Sequence, residues 1–201
     1  MCIRDRLRVV FVERVLAEPA YIFIYRHGVD VVASAIKRWR ASMDIPYLLR
    51  KARFVPAQDL PYYGLRFLQN RLERLSSPER RLSMWGPISA DIEVGKHEMM
   101  LEELAAVQWR ACVERSMNAF DSIPAERLHT VAYESLVKDK GEEVKRLAKF
   151  LGIDAESLCS LDQFQQINDE SVGKGRAQLR PEKLSLIEEI TSPTMARLGY
   201  G

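Results

Sequence analysis

Three cations and a hydroxyl in this chain have the types and spacing to hold an anion. Arg26 closes the apolar run Tyr21-Ile-Phe-Ile-Tyr25, and Ser34 follows eight positions later. Far along the chain, Lys174 and Arg176 interleave with Gly173 and Gly175. A planar guanidinium can grip a phosphate through two parallel N–H groups, which a lysine ammonium cannot. A following helix N-terminus adds backbone donors and a favourable dipole. Simpler readings stand beside these: Arg26 pairs with Asp30, and Gly173–Arg176 is a solvated loop.

Such an anion site needs elements to position it. Tyr21–Tyr25 is all apolar or aromatic and reads as a strand buried on both faces, as in a parallel sheet. Arg26-His27-Gly28 is the turn, and a helix runs from about Asp30 to Arg40. On a helical wheel Val31, Val32, Ala35, Ile36 and Trp39 share one side, with Asp30, Ser34, Lys37 and Arg38 on the other. Arg26 then stands at the carboxyl end of a buried strand, the crevice where open α/β sheets bind ligands.

The remaining elements follow from periodicity and punctuation. Leu7–Ala17 has helical spacing and stops at Glu18-Pro19. Residues 41–97 carry five prolines, with a helix expected at about Pro61–Leu75 and a turn at Trp85-Gly86-Pro87. The aromatics Tyr47, Phe54, Tyr62, Tyr63 and Phe67 could line an acceptor pocket or pack beneath loops. Glu98–Phe120 is the clearest long helix, with Leu101, Ala105, Trp109, Cys112, Val113, Met117 and Phe120 in one stripe. Leu128–Tyr133 reads as a second strand. Asp139 and Glu142 have capping-box spacing before a helix that Gly152 ends. Asp154 caps a short helix with Leu158 and Leu161, Asn168–Arg176 is a mobile loop, and Pro181 opens a last helix ending near Gly199.

Composition narrows the function classes. The 201 residues can form one domain, with 47% hydrophobic and 29% charged residues. A net charge of +2, spread along the chain, argues against a nucleic-acid binder. Cys2, Cys112 and Cys159 have no paired spacing, and His27, His97 and His129 are scattered, so no metal is expected. No membrane span or signal peptide is visible, which gives a cytoplasmic expectation.

Three segments, in order, resemble the sulfotransferases that use 3′-phosphoadenylyl sulfate (PAPS). Tyr25–Ser34 resembles the segment that binds the donor's 3′-phosphate. Val131-Ala-Tyr-Glu-Ser-Leu-Val137 with Phe150-Leu-Gly152 is similar to the family's Tyr-Glu-Asp-Leu and Phe-Leu-Gly elements. Val172-Gly-Lys-Gly-Arg176 with Leu198-Gly-Tyr200 resembles the C-terminal segment that covers the 3′-phosphate. Trp85-Gly-Pro87 and Trp109 are similar to features of bacterial members. The resemblance implies an α/β, three-layer phosphate-loop-NTPase-like fold with a parallel sheet. It also implies that Arg26 and Ser34 hold the 3′-phosphate, that Tyr133 lies near the adenine, and that Lys174, Gly175 and Arg176 close on the phosphate.

The implied reaction is transfer of a sulfuryl group from PAPS, as co-substrate and without a metal, to a hydroxyl or amine. The acceptor could be a carbohydrate, lipid, peptide or metabolite, recognised by residues 41–97. His97 and Glu98 are candidates for the base by residue type alone. Departures are His27 and Gly28 where the family often has Asp and Pro, Ser135 for an acid, and no tryptophan after Gly-Arg. Nothing before Tyr21 can serve as the family's phosphate-binding loop. Met1–Asp5 back-translates to a sequence resembling a library-preparation transposon end. Residues 1–6 are therefore expected to be an artefact, and 7–201 a partial domain lacking the N-terminal phosphate-loop strand and helix, with impaired activity. The alternatives are a phosphate-loop kinase or nucleotide-binding protein and, further off, a non-catalytic helical module.

Overall fold

Two parallel strands with helices on both sides organise the protein. The computed structural model describes residues 9–40, 50, 54, 56–76, 99–159 and 168–200. The elements are α1 (Val9–Val15), β1 (Tyr21–Tyr25), α2 (Gly28–Arg40), α3 (Leu60–Ser76), α4 (Leu101–Phe120), β2 (Leu128–Ala132), α5 (Tyr133–Lys138), α6 (Lys140–Leu151), α7 (Ala155–Cys159), α8 (Lys174–Gln178) and α9 (Pro181–Arg197). β1 and β2 pair in parallel, Tyr21 opposite Leu128 and Tyr25 opposite Ala132. Parallel neighbours need a long crossover, and here it contains α2, α3 and α4.

The main core lies on one face of the strands. Tyr21 and Phe23 point toward Phe120 of α4, with ring centroids 5.5 and 5.2 Å apart. Val29, Val32, Ile36 and Trp39 of α2 join Leu101, Leu104, Trp109 and Val113 of α4 and Ile187 of α9 in the same cluster. This is the α4 stripe expected from the sequence, and Cys112 is buried within that helix. α6 packs against β2 on the other face, where the His129 and Phe150 rings lie 5.3 Å apart. Its cover does not extend fully over β1: Ile24 is 36% exposed. β1 is thus buried on one face and only partly covered on the other, where the sequence suggests two buried faces.

Helix ends follow the sequence signals with adjustments. The Asp139 carboxylate accepts the Glu142 N–H at 3.3 Å and caps α6. The reciprocal half of the capping box is absent, because the Glu142 side chain bonds Lys145 instead. Gly152 ends α6 in the left-handed conformation (φ 67°), a cost that only glycine avoids. Tyr133 starts α5 rather than ending β2. α1 is a helix, yet Val10, Phe11, Val15 and Leu16 are exposed and Val9 is its buried residue. It is tied down instead by polar bonds: Glu13 accepts from Tyr21 Oη at 2.7 Å and pairs with Arg127.

Candidate functional site

Strand register brings two separated candidates together. Because Tyr25 lies opposite Ala132, the next residues, Arg26 and Tyr133, emerge side by side at the carboxyl ends of β1 and β2. The Arg26 guanidinium lies 4.7 Å from the centre of the Tyr133 ring, a cation–π contact. Its Nη2 donates to the Ser171 carbonyl and lies 3.4 Å from Asp30 Oδ2. Tyr133 Oη and Ser171 Oγ are 3.1 Å apart. Among the described residues, the buried Arg26 Nε has no hydrogen-bond acceptor.

The Gly-rich segment is not an open loop. Residues 171–173 form a turn and Lys174–Gln178 form α8, which packs against α2. Asp30 holds it: Oδ2 accepts the Gly173 N–H at 2.8 Å and Oδ1 accepts the Gly175 N–H at 2.7 Å. The helical wheel places Asp30 on the polar side of α2, but it is only 5% exposed, because backbone donors from far along the chain cover it. Gly175 is buried against it, whereas Lys174 and Arg176 are exposed. Arg176 pairs with Glu188 Oε1 at 2.8 Å. Ser34 sits on the exposed side of α2, one turn beyond Asp30.

Beside Arg26 lies a cavity of about 130 Å³ lined by His27, Asp30, Glu134, Val172, Gly173 and Arg176. Glu134 gives it a fixed wall. Its Oε1 accepts the His27 N–H at 3.0 Å, and its Oε2 accepts from Tyr200 Oη at 2.6 Å. Burial and the Glu134 hydrogen bond push the Tyr200 hydroxyl well above the usual phenol range, so it remains a donor. Tyr200 also packs edge-on against His27 and Tyr25. Burial pushes the His27 imidazole below its ordinary value, against the pull of Asp30 and with the push of Arg176. Both acids already accept from backbone or phenol donors, and of the two arginines Arg176 lines the cavity while Arg26 stands next to it, held by Ser171 and Asp30.

Residues 82–157 match the family model described as "Sulfotransferase family". That span includes Tyr133 and Glu134 but neither Arg26 nor the 171–176 turn. Among solved structures the chain is similar to the sulfotransferase domain from the curacin biosynthetic pathway, with a TM-score of 0.50 and 17% identity over 98% of this chain. The family match is confined to residues 82–157, and the structural likeness, at 17% identity, is one of fold. The chain spans 60% of that domain's length. Comparison with curated proteins gives no match. The α/β architecture with a parallel sheet, expected from the sequence, is the sulfotransferase architecture observed.

Other expectations map unevenly onto this sulfotransferase fold. His97, Glu98, Tyr47, the Trp85-Gly86-Pro87 turn, Leu161 and residues 1–6 lie outside the described residues. The helix expected at Pro61–Leu75 is α3, on which Tyr62, Tyr63, Leu65, Leu68 and Leu72 are exposed. Among the described residues no group of His, Cys, Asp or Glu is arranged to hold a metal. In the same residues no helix is long and apolar enough to cross a membrane. Sequence reasoning assigns no role to Glu134, Ser171 or Tyr200. Glu134 and Tyr200 sit inside motifs that carry the family resemblance, so their position is a signal, but only the fold shows that they bond to each other.

Proposed function

We propose that the chain belongs to an enzyme that transfers a sulfuryl group from PAPS to an acceptor hydroxyl or amine, and that the described site holds the donor's 3′-phosphate. The observation that carries this reading is a cavity lined by His27, Asp30 and Arg176 next to Arg26, whose guanidinium stands at the carboxyl end of β1 with its Nε unbonded. A phosphate there would meet Arg176 in the cavity wall and draw on the Arg26 guanidinium next to it, with Lys174 closing from α8 and Ser34 from α2. Tyr133, stacked on Arg26, would present its ring toward the adenosine. In the reaction an acceptor oxygen or nitrogen bonds to sulfur as the sulfur–oxygen bond to the 5′-phosphate breaks. Adenosine 3′,5′-bisphosphate leaves, and a base takes the acceptor's proton. Positioning and charge stabilisation supply the rate.

Titration calorimetry with adenosine 3′,5′-bisphosphate tests the site. Loss of a charge-assisted hydrogen bond, about 1.5–3 kcal/mol, weakens binding roughly 10- to 150-fold in Arg26→Ala. Unchanged binding in that variant would remove Arg26 from the site. Absence of sulfate transfer from PAPS across hydroxyl and amine acceptors, by a protein extended to the length of the curacin-pathway domain, would count against the enzyme.

A further inference from the structure

Asp30 is an acid placed inside a site read as anion-binding, and that needs a reason. Its carboxylate is buried, lies 3.4 Å from Arg26, and bonds two backbone N–H groups of one turn, those of Gly173 and Gly175. Gly173 is the N-cap of α8 and has no side chain to satisfy the helix's first donors. Asp30, on another helix, does that work. The two glycines serve the contact for different reasons. Gly173 adopts φ 73°, a left-handed conformation that glycine takes without strain. At Gly175 a Cβ would come within 2.8 Å of both Asp30 Oδ1 and the Val29 carbonyl, and 2.9 Å of Asp30 Cα, so only glycine lets the turn approach α2 this closely. The same turn carries the Ser171 carbonyl that accepts from Arg26, and the Arg176 that lines the cavity.

We propose that Asp30 is a positioning residue: it clasps the 171–176 turn onto α2 and thereby fixes both that turn and Arg26 around the cavity. The two glycine N–H groups therefore belong to Asp30 and are not phosphate donors. The part concerning ligand affinity rests on the 3′-phosphate reading above; the clasp itself does not. The proposal has a distinctive sign. By Coulomb's law alone, removing a carboxylate beside Arg26 strengthens binding of a phosphate. The clasp demands the opposite, because the turn bearing Arg176 and Ser171 loses its anchor.

The test uses Asp30→Asn and Gly175→Ala, which attack the contact from its two sides. Amide hydrogen exchange in the unliganded protein reads the clasp directly. Exchange at Gly173 and Gly175 is expected to rise roughly tenfold or more in both variants, while β1 and α4 amides keep their protection. Calorimetry then compares adenosine 3′,5′-bisphosphate with adenosine 5′-monophosphate. Affinity for the bisphosphate is expected to fall roughly tenfold, with the monophosphate unchanged, an outcome that general loosening of the fold would not give. Exchange at Gly173 and Gly175 within twofold of wild type in Asp30→Asn would overturn the proposal, as would tighter bisphosphate binding in that variant. A wild-type protein that binds no bisphosphate would overturn the 3′-phosphate reading while the exchange measurement still decides the clasp. Were Asp30→Asn to unfold, Gly175→Ala, which keeps the carboxylate, carries the same pair of outcomes.

Discussion

Replacing glycine by alanine at two helical positions of this protein is expected to give opposite results. Gly28 begins α2, and a Cβ there would lie 3.1 Å from Trp109 Cη2 and Cζ3 and 3.2 Å from Thr191 Cβ. Trp109 and Thr191 are only 5% and 1% exposed, so neither has room to retreat. Overpacking of this kind costs about 1–3 kcal/mol, partly offset by the 0.5–1 kcal/mol that alanine gains over glycine in a helix. Gly28→Ala should therefore lose roughly 1 kcal/mol, and at most about 2.5 kcal/mol. At Gly141, in the first turn of α6, an added methyl would meet nothing within 4 Å, so Gly141→Ala should gain about 0.5–1 kcal/mol. Urea unfolding followed by far-UV circular dichroism measures both, read from midpoints at unchanged slope. A Gly28→Ala midpoint at or above wild type would refute the reasoning, since Trp109 would then be yielding where the packing says it cannot.

Two further substitutions probe buried polar contacts. The Glu102 carboxylate is 2% exposed and pairs with Lys183 and, at 3.5 Å, with Arg40. Burial alone would raise its pKa, but the Lys183 and backbone hydrogen bonds and the two cations hold it below 4.5. Its contribution is thus present above about pH 4.5 and lost as pH falls through the lowered folded value. Glu102→Gln should cost roughly 1–3 kcal/mol near neutrality, the partners' partial exposure reducing the full buried-pair figure. Its stability should also fall less steeply than wild type in acid, and parallel pH profiles would refute this. Tyr200→Phe removes the 2.6 Å bond to Glu134 and should cost about 1–2 kcal/mol, seen as a melting temperature lower by about 2–4 °C per kcal/mol. An unchanged melting temperature would show that Glu134 finds a replacement donor.

What the sequence reveals depends on how local the cause is. The α4 stripe, the Gly152 stop and the Asp139 cap are set within one element or its ends, and periodicity and cap chemistry find them. Arg26 and Tyr133 stand out by motif, but their stacking depends on the register between β1 and β2. Asp30 is misplaced because a helical wheel sees only its own helix, and the donors that bury it lie in another segment. For the same reason Gly173–Arg176 reads as a loop: its glycines look like flexibility, whereas one of them permits close packing. α1 is legible as a helix but not in its orientation, because its anchors are a phenol and a guanidinium from elsewhere. Ile24 shows the same limit, since an unbroken apolar strand does not say how far a covering helix reaches.

The contact between Asp30 and the glycine turn also has a place in time. Its two bonds join residues 143 and 145 positions apart, so they belong to the least local contacts of the chain. Closing so large a span is entropically costly before other contacts have drawn the ends together, and such contacts form late in folding. During synthesis, which proceeds at about 5–20 residues per second, Arg26 and Asp30 leave the ribosome several seconds before the turn that completes their surroundings. The cavity beside Arg26 therefore comes into being only with the final assembly of the domain. Ligand binding there would report complete folding, and a chain stopped before Gly173 would carry the arginine without the site.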